Sequence, residues 1–291
     1  MEIALHLGAH LTDENKLMRN LVRNRDLLAA EGIAVPGPGL YQQQLLVLAR
    51  EMRDQPTSEE TQETLLDGLL ESDNVRRTVF SLENLLAPPN WVIEGGRFYP
   101  RAGERIAEFC RLFPAAKVQV YLAVRSPATF LPALIKRQRG GGRDAALTDI
   151  DPASMRWSEV IAQIKDSVPE VPITIWTDED TALLWPEVLR AVSGHQPTTT
   201  LVGWFAWYWD MMTPKTHEAM RRYFARNPIT DDLHRRKVLS AMLEKFARPE
   251  SLEVDATLPG WNDAYVEVLT EIYEQDLDLI ASFPGVTLLE P

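Results

Sequence analysis

The sequence predicts an α/β protein with a mainly parallel sheet flanked by helices and a helical C-terminal third. Short apolar runs rich in β-branched residues alternate with longer stretches at helical spacing, the order that builds parallel sheets. The run Val118–Val124 is apolar on both faces, as a strand covered on two sides must be. Past residue 195 the periodicity is almost wholly helical.

In chain order, strands are expected at Ile3–Leu7, Thr78–Leu82, Trp91–Glu94, Lys117–Val124, Ile173–Trp176 and Val286–Leu289, with Lys117–Val124 in mid-sheet. Thr177 is expected to cap a helix whose first turn holds Asp178, Glu179 and Asp180, acids that suit the positive end of the helix dipole. Pro214 behind Thr213 marks another start, and Thr213 to Ala247 reads as two helices broken at Asn227-Pro228. Asp263 to Ser282 reads as one long helix with Tyr265, Val266, Leu269, Ile272, Tyr273, Leu277 and Ile280 inward. The whole chain, 1–291, is expected to be one domain, with a sheet core to about residue 195 and a helical part after it. The triglycine Gly140–Gly142 reads as a mobile loop.

Composition narrows the function. With 42 acidic and 30 basic residues the net charge is −12, which argues against a broad surface for nucleic acid or an anionic membrane. An anionic ligand would need a local basic pocket. The single cysteine, Cys110, has no internal partner, and Phe109 and Leu112 around it indicate a buried helical thiol. No secretory leader or apolar stretch near eighteen residues is visible, so a cytoplasmic location is expected.

The first strand runs into His6-Leu7-Gly8-Ala9-His10-Leu11-Thr12-Asp13-Glu14-Asn15 and then an apolar helical series beginning at Leu17. This is the strand, turn and helix order of a phosphate-binding loop, in which helix N-terminal amides face an anion. Three further segments accompany it: Asn24 to Gly37, Phe80-Ser81-Leu82-Glu83-Asn84-Leu85, and Tyr121-Leu122-Ala123-Val124-Arg125-Ser126-Pro127-Ala128. A fainter echo is Ile173 to Asp180. Together they resemble, in order and through about residue 195, the bacterial sulfotransferase family that uses 3′-phosphoadenosine 5′-phosphosulfate (PAPS).

The resemblance implies a P-loop, sulfotransferase-like fold and a PAPS cofactor without a metal. It implies a donor site at Gly8, Ala9, His10, Thr12, Asn15 and Arg125. It also implies transfer of a sulfuryl group to a hydroxyl or amine of a small molecule or glycan, with Glu83 or His10 as the catalytic base. The family loop reads like H-x-G-x-x-K-T-G-T-T. Here Leu11 replaces the lysine, Asp13 the second glycine, and Glu14 and Asn15 the two threonines, while Thr12 is kept. A carboxylate within about 4 Å of an anion costs ~1 to 4 kcal/mol. Lys16 lies one residue past the loop and about 100° further round a helix. The family's serine eight residues after its arginine is Ala133 here.

Each candidate has a plain structural reading beside it. Arg125 sits where open α/β sheets place ligands, or it forms an ordinary ion pair. Glu83 is a base near the acceptor, or it is an acid in the first turn of a helix begun at Ser81. His6, on the strand face opposite Leu5 and Leu7, and His10 are bases or oxyanion donors, or buried histidines with satisfied nitrogens. Lys136, Arg137, Arg139 and Arg143 close over an anion, or form a solvated face. Trp204, Phe205, Trp207, Tyr208 and Trp209 line an acceptor pocket or a partner surface, or Trp204, Tyr208 and Met211 or Met212 pack as core. Two functions remain in contention: PAPS-dependent transfer, and a sulfotransferase-like binding or interaction protein that has lost the PAPS site. A nucleotide phosphotransferase is a weaker third, because its magnesium and β/γ-phosphates need the missing lysine and hydroxyls.

Overall fold

The computed structural model describes residues 1–291 apart from 53, 54, 73, 139–149, 230, 253–255 and 257. The triglycine Gly140–Gly142, with Arg139 and Arg143, lies outside the described residues.

Strand β1 (Glu2–His6) runs through a loop into α1 (Lys16–Arg23) and α2 (Arg25–Ala29), followed by β2 (Ile33–Ala34), α3 (Pro38–Glu51), α4 (Glu59–Asp67) and β3 (Arg77–Ser81). A small ribbon of β4 (Ile93–Glu94) and β5 (Arg97–Phe98) precedes α5 (Ala102–Leu112), β6 (Lys117–Val124) and α6 (Pro127–Gln138). Helix α7 (Trp157–Ser167), β7 (Ile173–Thr177) and α8 (Thr181–Ser193) complete the first two thirds. The remainder holds a tight turn of 3-10 helix at Trp204–Asp210, then α9 (Pro214–Arg226), α10 (Asp232–Phe246), α11 (Pro249–Leu252), α12 (Asp263–Ala281) and β8 (Val286–Leu288).

Six strands form one sheet in the order β2-β3-β1-β6-β7-β8, and every neighbouring pair is parallel. Chain order reverses around β1, so the crevice beyond its carboxyl end is the switch point at which open α/β sheets bind ligands. Side-chain alternation divides the core between two faces. Ile3, Leu5, Leu7, Val120 and Leu122 pack with α3, α5 and α7 residues on one, and Ala4, Val79, Ala123 and Trp176 pack with α1 and α8 residues on the other. Strand β6 lies in mid-sheet between β1 and β7, as its two apolar faces require.

Three local expectations are corrected. The strand expected at Trp91–Glu94 is shorter and lies outside the six-stranded sheet: Ile93 and Glu94 pair antiparallel with Phe98 and Arg97 in a separate ribbon, and Trp91 ends a 3-10 turn. Gly95 and Gly96, both at positive φ, make the two-residue turn that such a hairpin demands. The helix after β7 begins at Thr181, not behind Thr177, which ends the strand and bonds Asp180 through its hydroxyl at 2.7 Å. No helix starts at Ser81, which closes β3; residues 83–86 form a turn.

The two helices on either side of Asn227-Pro228 form as expected, and each residue expected to face inward from α12 is buried or half-buried. Tyr208 and Met212 are buried in a satellite cluster with Met220, Leu239 and Leu243, while Trp204, Phe205, Trp207 and Trp209 around them are half-buried. Cys110 lies in α5, and burial pushes its thiol up to about 12. Among the described residues no helix is long and apolar enough to cross a membrane.

Candidate functional site

The loop from Leu7 to Asn15 is held in shape by left-handed backbone at Gly8, Leu11, Glu14 and Asn15. Several amides of the loop and of the first turn of α1 already have partners. Ala9 N–H donates to Ala123 O of β6 at 3.1 Å, extending the sheet ladder, and His10 N–H donates to the Tyr99 hydroxyl at 3.1 Å. The Leu11 amide lies near the Glu83 carboxylate and favours its charged form. At the start of α1, Asp13 receives three amides: Asn15 N–H on Oδ1 at 3.2 Å, Leu17 N–H on Oδ2 at 3.0 Å, and Lys16 N–H on its carbonyl at 2.8 Å. The carboxylate therefore satisfies the positive end of α1, the place an external anion would take. Thr12 bonds inward through its hydroxyl to Ala9 O at 2.8 Å.

Arg125 leaves β6 at its carboxyl end and is committed as well. Its Nη1 donates to Leu11 O at 2.9 Å, its Nε donates to Thr129 Oγ1 at 3.0 Å, and Asp178 lies 3.7 Å from Nε. The hydroxyl that meets this arginine is thus four residues on, one turn into α6, rather than eight. Arg125 is both a strand-end cation facing the crevice and an ion-paired residue.

A cavity of about 330 Å³ opens beside the loop, lined by Thr12, Lys16, Arg125, Asp178, Glu179 and Trp207 among others. Lys16 reaches it: its Nζ lies 3.1 Å from Asp210 and 4.7 Å from the centre of the Trp207 ring. The two cations face three carboxylates, of Asp178, Glu179 and Asp210. Burial, with Glu179 and Asp13 nearby, pushes Asp178 up to about 7 against the pull of Arg125. Glu179 is also raised by burial, although it accepts from Ser126 N–H. A compartment that already discourages ionisation of its own acids is a poor host for a polyanion.

Glu83 stands on the other side of the loop, raised by burial and drawn down by Arg137 at 4.0 Å. His6 is buried, stacked on Trp176 with centroids 6.0 Å apart, with Nδ1 2.9 Å from Ser81 Oγ and Nε2 without a hydrogen-bond partner. Burial lowers its pKa. His10 has both nitrogens engaged, Nδ1 with Tyr99 OH at 2.8 Å and Nε2 with Asn84 Oδ1 at 3.2 Å. The Asn84 carbonyl accepts, so Nε2 carries the proton and Nδ1 accepts from Tyr99. Burial brings His10 down to about 4.

Gly8, Ala9, His10, Thr12, Asn15, Arg125 and Glu83 are thus gathered around one loop. Lys16, Thr129 and Asp210 join them at the cavity and were not expected there, as does Trp207, one of the aromatics read as a possible pocket lining; helical phase alone set Lys16 aside. The i,i+4 spacing of Arg125 and Thr129 was the sequence signal for that pair. Among the described residues no cluster of His, Cys, Asp and Glu could hold a metal ion.

Neither a protein-family model nor a curated protein matches the sequence. Among solved structures, a sulfotransferase from Alicyclobacillus acidocaldarius is similar over 87% of this chain and 99% of that one, at 13% identity and a TM-score of 0.40.

Proposed function

We propose that this chain is a sulfotransferase-type α/β protein whose donor-phosphate loop is closed by its own carboxylates, and that it works as a binding or interaction protein. The sequence resemblance supports the first half, together with a loop that leaves the central strand at the switch point of the sheet. The second half is carried by one observation: the Asp13 carboxylate sits on the amides of Asn15 and Leu17. A tethered acid competes with a free anion at high effective concentration, and it would repel the anion if displaced. PAPS does not fit this arrangement. Leu11 supplies no cation, and a second carboxylate, that of Glu83, lies near the Leu11 amide, where it would repel an anion.

Isothermal titration with adenosine 3′,5′-bisphosphate at millimolar concentration should show no heat with the wild type and no shift in melting. The combined variant Leu11→Lys, Asp13→Gly, Glu14→Thr should gain binding, because it frees the amides and restores charge. Tight binding by the wild type would overturn the reading.

A second reading is favoured by the presence of Lys16, Arg125 and Thr12 at one cavity beside the loop. On that reading the protein transfers a sulfuryl group from PAPS to a hydroxyl or amine of a small molecule or glycan, with Glu83 as base. The same titration separates the two.

A further inference from the structure

A second cavity, of about 210 Å³, lies away from the loop where the end of α8 meets the start of α10. Its polar chemistry is fixed by hydrogen bonds that can be followed atom by atom. Ser193 Oγ donates its one proton to Leu189 O at 2.8 Å, so toward His195 Nδ1, 2.6 Å away, it can only accept. His195 Nδ1 therefore carries the ring proton, and Nε2 keeps its lone pair. Burial lowers the pKa of this histidine, and Arg190 lowers it further against the pull of Glu31, so the neutral acceptor form prevails near neutrality. His195 lines the cavity.

Two guanidiniums line it as well. Arg190 and Arg235 both bond the single carboxylate of Asp232, Arg190 through both terminal nitrogens and Arg235 through Nη1. One carboxylate between two guanidiniums leaves a positive excess. Of the other acids nearby, Glu187 is itself bonded by Arg236 at 3.0 Å, and Glu31 is held by Gln196 N–H, the Thr199 hydroxyl and Arg76. Trp204 and Phe224, in edge contact with centroids 5.0 Å apart, form an aromatic wall of the same cavity. A cation pair, a neutral hydrogen-bond acceptor and an aromatic wall around a space of this size define a ligand: one negative charge, one donor and a flat apolar body.

We propose that this cavity binds a small aromatic carboxylate bearing a ring hydroxyl. The carboxylate meets Arg190 and Arg235, the ring lies against Trp204 and Phe224, and the hydroxyl donates to His195 Nε2. The site is independent of the nucleotide question, since its lining shares no residue with the cavity beside the loop.

The test is calorimetric titration of the full chain with 4-hydroxybenzoate, benzoate and phenol. The complete probe should bind about tenfold or more tightly than either partial one, the effect of losing one well-placed polar contact. His195→Leu should reduce 4-hydroxybenzoate to the affinity of benzoate while leaving benzoate unchanged. Arg235→Gln should weaken both acids and leave phenol unchanged. Thermal melting checks that each variant is folded, and the three-probe comparison on the wild type stands without them. Absence of heat for all three probes, or equal affinity among them, would overturn the proposal.

Discussion

At the scale of the residue, Asp178 shows how a site can be read from its charges. The chain leaves β7 there, with Asp178 N–H donating to Val124 O at 2.7 Å, and this places the carboxyl between Arg125 and Glu179. Its pKa moves from 3.8 to about 7. Between those values the folded chain holds a proton that the unfolded chain has lost, so this group makes stability fall as pH rises, by up to about 1.4 kcal/mol per pH unit. Asp178→Asn removes the slope. Urea unfolding at pH 5 and pH 8 should show the variant gaining on the wild type at the higher pH, by on the order of 2–4 kcal/mol. His10, lowered to about 4, contributes stability that is lost as pH falls below 6.5, but equally in both proteins, and it cancels in the comparison. Parallel pH profiles would show that Asp178 is ionised in the folded state. The sequence named Asp178 and Glu179 as helix-cap acids; that they crowd a cavity depends on α6 and the Trp204–Asp210 turn coming near, which local pattern does not encode.

At the scale of the element, periodicity located α9, α10 and α12 and missed what lets helices touch. Helices α5 and α7 cross at Gly103, where an added Cβ would collide with the Gln163 carbonyl oxygen and the Ser167 hydroxyl. In an exposed helix Gly→Ala gains about 1 kcal/mol from propensity. Here overpacking of ~1–3 kcal/mol outweighs it, so Gly103→Ala should lower the melting temperature; a rise would mean that the helices slide apart freely. Such a glycine carries no signal in an apolar pattern. Nor does Asp276, which lies on the inward face of α12 among the expected apolar residues. There it accepts from Trp157 N–H at 2.7 Å and Ser158 N–H at 3.1 Å, capping α7 across the core. The loop was the converse case. Its order of strand, turn and helix was legible from His6–Asn15, but the turn of Asp13 onto its own helix is a matter of side-chain geometry.

At the scale of the whole molecule, the sheet is finished by the segment read as the helical third. After α9, α10 and α12 the chain returns as β8, where Ile173 N–H donates to Gly285 O at 3.0 Å and Leu289 N–H donates to Ile175 O at 2.8 Å. The strand signal at Val286–Leu289 was visible in the sequence; its partner was not, because pairing across more than a hundred residues leaves no local trace. Arg236 Nη1 adds a bond to Glu290 O at 2.8 Å, so α10 is fastened to the same tail. Deleting residues 284–291 would strip β7 of one neighbour and expose backbone groups beside the buried Ile173 and Ile175. Lost ladder bonds at about 0.5–1.5 kcal/mol each, with the apolar cover of β8, sum to several kcal/mol, a large share of a typical 5–15 kcal/mol stability. The truncated chain should melt lower and form concentration-dependent aggregates in size-exclusion chromatography. If it instead remained monodisperse with unchanged melting, the edge of β7 would need no cover, and the Asp276 contact of α12 and the contacts of α10 and the Trp204–Asp210 turn with α8 would suffice to hold the helical segments.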